Sequence, residues 1–165
     1  MPRNPVVSAD NCGCRRSHHA NFNKRLVKAP KLYFHDAGLA CWFLGIQTPQ
    51  HLESHPLRDA VFETLIVAEL IKSRLNRGER PDMYFWRDSN GNEVDVIIEA
   101  GDQLIPVEIK SGKTVARDFF AGLEKWKNLA GTRALNPILI YGGDDKYHHV
   151  KTDVIGWRNV GQVAF

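Results

Sequence analysis

Two carboxylates and a lysine near the middle of the chain have the types and spacing of a centre that could hold a divalent cation. Asp95 lies in Asn92-Glu93-Val94-Asp95-Val96-Ile97-Ile98-Glu99, and Glu108-Ile109-Lys110 follows the dipeptide Gly101-Asp102. Both arms alternate in period two, as strands with distinct faces do, and Gly101-Asp102 supplies a turn. With those two residues as the loop of a tight hairpin, Asp95 is expected opposite Glu108 and Glu93 opposite Lys110, all four on one face. Directly opposed side chains have Cβ atoms about 4.5–5.5 Å apart, and like charges there destabilise a sheet. A hard divalent cation would compensate, because Mg²⁺ takes carboxylate oxygens and waters. Lys110 projects to the same side as Glu108 and can bring its ammonium to that centre. For the two strands alone, a solvent-facing side with scattered charges is an equally good account.

A third carboxylate comes from elsewhere in the chain. Arg58 to Asn76 carries the best helical pattern, and a helical wheel puts Glu63 in the stripe of Ile66, Val67, Leu70 and Ile71. Buried acids are rarely left unpaired. A Glu at the stripe's edge that reaches solvent or an Arg is the ordinary reading, and it changes only if a metal site lies nearby.

The remaining elements must position these residues. Lys31-Leu32-Tyr33-Phe34 reads as a short strand, Asp36 as the N-cap of a short buried helix through Leu44, and Gly45 as its end. Pro49 and Pro56 bracket a connection to the main helix. Met83 to Trp86 is aromatic and strand-like, and Asp88 to Asn92 forms a turn into the hairpin, giving three antiparallel strands. Phe119, Phe120, Leu123, Trp126 and Leu129 recur at helical spacing from Val115 to Ala130, as core residues rather than a base-stacking platform. Pro137 to Tyr141 reads as a strand buried on both faces, while Val150–Ile155 and Val160–Phe165 are candidate edge strands with His148-His149 on the surface beside them. The order helix, three strands, helix, strand implies a mixed sheet flanked by helices, α/β or α+β from pattern alone.

Composition suits a globular protein: 165 residues, 43% hydrophobic and 25% charged. No apolar run is long enough for a membrane span, and the first residues lack the apolar core of a secretory signal, so a cytoplasmic location is expected. Cys12, Cys14 and Cys41 are three in number and form no disulfide framework. The net charge of +3 is uneven, with seven Lys/Arg against one Asp in residues 1–31. Residues 1–20, rich in small and breaker residues, are expected to be an irregular tail, with the folded domain over 21–165. Within that tail Cys12, Cys14, His18 and His19 are four potential zinc ligands, but their spacing matches no common finger pattern. Gly112-Lys113-Thr114 ends like a phosphate-binding loop, yet position 107, where such a loop needs glycine, is Val.

Glu63 on a helix, Asp95 on one strand and Glu108-Ile109-Lys110 on the next resemble the PD-(D/E)XK, or restriction-endonuclease-like, nuclease superfamily. More narrowly, Asn21 to Lys28, Lys31 to Leu39, Phe62-Glu63, Trp86-Arg87 through Glu93-Val94-Asp95, and Val107 to Gly112 together resemble the domain that follows a AAA-type ATPase domain in many prokaryotic proteins. The resemblance implies an α/β restriction-endonuclease-like fold with an antiparallel three-strand meander flanked by helices. It further implies that Asp95 and Glu108 bind Mg²⁺ or Mn²⁺, that Glu63 contributes directly or through water, and that Lys110 orients or activates the attacking water. Ser111 and Lys113 are candidate phosphate contacts, with plain surface turn residues as the alternative. The implied activity is hydrolysis of DNA phosphodiesters, with a AAA-type ATPase domain as covalent partner in relatives. Homo-oligomerisation is compatible with the sequence and no membrane partner is expected. The rival reading is a non-catalytic interaction or regulatory module, since residues 32–165 hold fifteen Lys/Arg against eighteen acids and lack a dense basic groove. A small zinc-binding protein built on the N-terminal Cys/His cluster is a third.

Overall fold

The computed structural model describes residues 8–9, 12–15, 31–88 and 90–163, the first two segments by backbone alone. Its elements are β1 Ser8–Ala9, β2 Cys12–Arg15, β3 Lys31–Phe34, α1 Ala37–Phe43, α2 Pro49–Ser54, α3 Arg58–Asn76, β4 Met83–Arg87, β5 Glu93–Ala100, β6 Gln103–Lys110, α4 Ala121–Ala130, β7 Ile138–Tyr141, β8 Lys146–His149 and β9 Thr152–Gly156. Single 3₁₀ segments cover Arg117–Phe120, Gly131–Arg133 and Trp157–Gln162. Six strands form one mixed sheet in the order β4-β5-β6-β7-β9-β8. β4, β5 and β6 are the expected antiparallel meander, β7 and β9 run parallel to β6, and β8 closes the edge antiparallel to β9.

Helices cover both faces of the sheet. On one side Ile66, Val67, Leu70 and Ile71 of α3 meet Val96, Ile98, Ile105, Val107, Ile109, Ile138 and Ile140. On the other, Leu123 and Trp126 of α4 meet Trp86, Val94, Ile97 and Leu104. Burying each such aliphatic side chain stabilises the fold by roughly 1.5–3 kcal/mol. The class is therefore mixed α/β, with helices on both sides of the sheet.

Several expectations need correction. β1 and β2 pair antiparallel with each other and β2 with β3, so six residues of the tail read as irregular are extended. Their small and polar residues carry no alternation, and the pairing partner β3 supplies the order. The side chains of Cys12 and Cys14, and all of His18 and His19, lie outside the described residues. α1 is capped as expected, with Asp36 Oδ1 accepting from the Gly38 and Leu39 amides and Gly45 at φ +69°. It is not buried, however: Trp42 and Phe43 are 72% and 63% exposed. The bracketed connection holds α2, started by Thr48 as N-cap and Pro49 in its first turn. β9 lies inside the sheet rather than at its edge, the edge strand being β8 with His148 and His149, and Val160 belongs to a 3₁₀ segment. Among the described residues no helix is long and apolar enough to cross a membrane.

Candidate functional site

The β5–β6 hairpin closes as the turn predicts. Ala100 pairs with Gln103 across Gly101, whose φ of +63° suits glycine at the first loop position, and the register holds through Val96–Val107. There the ladder stops, because of what β4 imposes on the other edge. Tyr84 opposes Ile97 but Trp86 opposes Val94, so Phe85 faces both Asp95 and Val96, which is a β-bulge in β5. The bulge turns Asp95 out of the ladder. Its Oδ2 accepts the Ile109 amide at 2.9 Å, so the side chain serves as an acceptor for β6.

The four expected residues consequently form two linked groups instead of one shared face. In the first, Lys31 of β3 places its ammonium among three acids: 2.9 Å from Glu63 Oε1, 3.5 Å from Asp95 Oδ1 and in contact with Glu93. Tyr33, two residues along the same strand, donates its hydroxyl to Glu63 Oε1 at 2.5 Å. Arg87 Nε holds the other oxygen of Glu93 at 2.8 Å. In the second, Lys110 Nζ lies 2.6 Å from Glu108 Oε1 and 6.0 Å from the Phe119 ring centroid. Glu108 faces the first turn of α4, where a Cβ on Gly122 would lie 3.7 Å from its Oε2 and 2.7 Å from the Glu93 carbonyl. Glycine at 122 is what lets α4 approach the two strand ends.

The end of β6 is also clamped from α3. Arg58 donates to the Ser111 carbonyl at 2.8 Å and Asp59 takes the Ser111 hydroxyl. Ser111 is thus committed within the fold, and Lys113 lies 3.8 Å from Glu53.

Electrostatics couples the two groups. Asp95 and Glu108 are each 8% exposed. Burial, then the Glu63 charge, raises Asp95 to about 6 against the pull of Lys31, the Ile109 amide and Lys110. Burial, then the Asp95 charge, raises Glu108 to about 7 despite Lys110. Burial also works to raise Glu93, but Lys31 and Arg87 outweigh it and hold this carboxyl low. Burial opposes the charge of Lys31, yet Tyr33, Asp95, Glu63 and Glu93 raise it. Lys110 is raised in the same way, burial being overcome chiefly by Glu108. Tyr33 is raised by burial and by the Glu63 carboxylate, so it stays a donor.

Glu108 Oε2 is buried with no hydrogen-bond partner. Leaving a charged acceptor so is costly unless a proton or a cation meets it. The hard oxygens of Asp95 and Glu108 fit Mg²⁺, which commonly takes one or two carboxylates and keeps its waters. Glu63, the third expected acid, has its Oε1 engaged by Lys31 and Tyr33. Among the described residues no group of three or more His, Cys, Asp or Glu side chains is placed to hold a metal ion.

Lys31 and Tyr33 are the participants that sequence reasoning passed over. Their signal was a lysine and a tyrosine two apart on a short strand, hence on one face. Nothing in the chain order says that this strand would meet the ends of β5 and α3.

A family model described as a domain of unknown function (DUF4143) matches residues 58–160, which include α3, the whole six-stranded sheet, Glu63, Asp95, Glu108 and Lys110. A second, also described as a domain of unknown function (DUF8612), matches residues 12–50. Two mycobacterial relatives, Uncharacterized protein Mb2031c of Mycobacterium bovis and Uncharacterized protein Rv2008c of Mycobacterium tuberculosis, are each 30% identical over 95 residues, 58% of this chain and 21% of theirs. The matched stretch spans about a fifth of the length of these curated relatives.

Proposed function

This chain belongs to the family described as a domain of unknown function (DUF4143), and from that premise we propose a divalent-cation-dependent phosphodiesterase of restriction-endonuclease-like fold acting on DNA. The observation that carries the reading is the pair Asp95 and Glu108: both buried, both raised, one with an orphaned oxygen, and beside them the Lys110 ammonium. The element order α3, β4-β5-β6, α4, β7 supports the fold assignment.

In this reading Asp95 and Glu108 would hold Mg²⁺ or Mn²⁺, and Glu63, whose Oε1 is engaged by Lys31 and Tyr33, would contribute directly or through water. The cation would polarise a phosphodiester as a Lewis acid. Lys110, held 2.6 Å from Glu108, orients the attacking water and stabilises developing negative charge. The Ile109 amide fixes Asp95 at the bulge, and the Arg58 and Asp59 clamp on Ser111 keeps the end of β6 in place. In longer relatives a AAA-type ATPase domain would deliver the strand to this end of the sheet.

Incubation with single- and double-stranded DNA plus Mn²⁺ tests the proposal. Cleavage that disappears in Asp95→Asn and in Lys110→Ala is expected. Cleavage that persists in both, or none on any substrate, overturns it. One observation favours the interaction-module reading: the Lys31 ammonium already neutralises much of Glu63, Glu93 and Asp95, while Leu32, Trp42 and Phe43 stay exposed nearby in sequence. That reading expects no stabilisation by Mn²⁺.

A further inference from the structure

The β8–β9 hairpin and α4 enclose a cleft of about 680 Å³, within the roughly 300–1,000 Å³ typical of small-molecule sites. Its floor is apolar and buried, built on Phe120 and Pro137. Three cations line it, Arg117, Lys127 and Lys151, against one acid, Glu124. Among the described residues none of the three cations has an ion pair or a side-chain hydrogen bond, in contrast to Lys31, Arg87, Lys110 or Arg158, which all do. Like charges gathered round a concavity repel one another, and a bound anion relieves that.

The cleft also offers a planar surface. The His149 ring lies over Phe120 with centroids 4.9 Å apart and planes 31° apart, and His149 itself is exposed. At the hairpin tip Val150 has φ +55°, a left-handed conformation that a β-branched residue adopts only under constraint from its surroundings. That tip sets His149 and Lys151 on the two sides of the turn, both lining the cleft. Phe119, next in sequence to the floor residue Phe120, faces Lys110, so one 3₁₀ turn connects the cleft to the strand-end acids.

We propose that this cleft binds a nucleoside phosphate, with the phosphate on Arg117, Lys127 and Lys151 and the base against the His149 ring. Cations on a rim beside an exposed ring are the two elements that strand and nucleotide recognition combine. The chemistry is the same for a free nucleotide and for a segment of a single strand. Binding here is independent of the phosphodiesterase reading, because it requires neither a metal nor Asp95.

The test is fluorescence anisotropy of a labelled oligothymidylate in EDTA, with thymidine monophosphate and pyrophosphate as competitors. Arg117→Glu/Lys151→Glu should weaken binding by about tenfold or more and flatten its salt dependence. His149→Ala should weaken it by about fivefold or more. Lys72→Glu, on the outer surface of α3, should leave it unchanged. The milder pair Arg117→Gln/Lys151→Gln repeats the test should the reversed pair fold poorly, as read by circular dichroism. Displacement by thymidine monophosphate assigns the site to free nucleotides as well as strands, and resistance to it assigns strands alone. Wild-type protein that binds neither probe, a reversed pair that binds normally, or pyrophosphate competing equally with His149→Ala unaffected would each overturn the proposal.

Discussion

The ammonium of Lys31 stands among Glu63, Glu93 and Asp95, in the kind of position a metal would take in an acid cluster. Replacing it by methionine leaves three close carboxylates without their main counter-ion. Uncompensating a buried charge costs about 3–5 kcal/mol, and with Lys31 21% exposed a loss of roughly 2 kcal/mol is expected in urea unfolding. Mn²⁺ should restore more stability to Lys31→Met than to the wild type, since the vacated acids then attract it. Equal metal effects in both proteins would mean that Lys31 and the cation do not compete. The pH dependence follows from Asp95 and Glu108, whose ordinary values of 3.8 and 4.5 rise to about 6 and about 7 on folding. Between those limits the folded chain binds more protons than the unfolded one, so these groups make stability fall as pH rises from about 4 to 7. Asp95→Asn with Glu108→Gln should remove the fall. Thermal unfolding at a series of pH values measures it. That Asp95 would lie on one arm of a hairpin and Glu108 and Lys110 on the other was legible because their spacing across a turn is local. Lys31 was not, because its contact with Glu63 spans 32 residues and its contact with Asp95 spans 64.

At the scale of elements, two local devices bring the acids together: the bulge in β5 and the close approach of α4. A methyl group at Gly122 would meet the Glu93 carbonyl at 2.7 Å, a backbone atom with little room to yield. Gly122→Ala should therefore cost about 1–3 kcal/mol through displacement of α4, against the gain that alanine gives an open helix position. Measured stability above wild type would show that α4 shifts freely. The hairpin register was readable from Gly101-Asp102 because a two-residue loop leaves little choice. The bulge was not, since it arises where β5 must satisfy β4 and β6 at once. Helix α3 was readable end to end from its apolar stripe. For α1, by contrast, an apolar composition was taken for burial, although Trp42 and Phe43 lie mostly exposed.

Across the whole molecule, stability is concentrated in the inner strands. Val94, Val96, Ile97, Ile98, Val107, Leu139 and Ile140 are all fully buried, whereas every residue of β8 is exposed. Amide exchange should accordingly be slowest in β5, β6 and β7 and fast in β8, with protection in β8 rising when a nucleoside phosphate occupies the adjoining cleft. Uniform exchange across the sheet would contradict that gradient. By itself the sequence determined α3, the β4-β5-β6 meander and the hairpin register from its turn to Val96–Val107. Those depend on periodicity, turn chemistry and spacing, which act between residues close in the chain. Only the tertiary structure decided which acids share a cation, that β3 delivers Lys31 and Tyr33 to them, and that Glu108 keeps an unpartnered oxygen. Those outcomes depend on where distant segments meet and on how far each charge is taken out of water, and neither quantity is present until the sheet and its helices have packed.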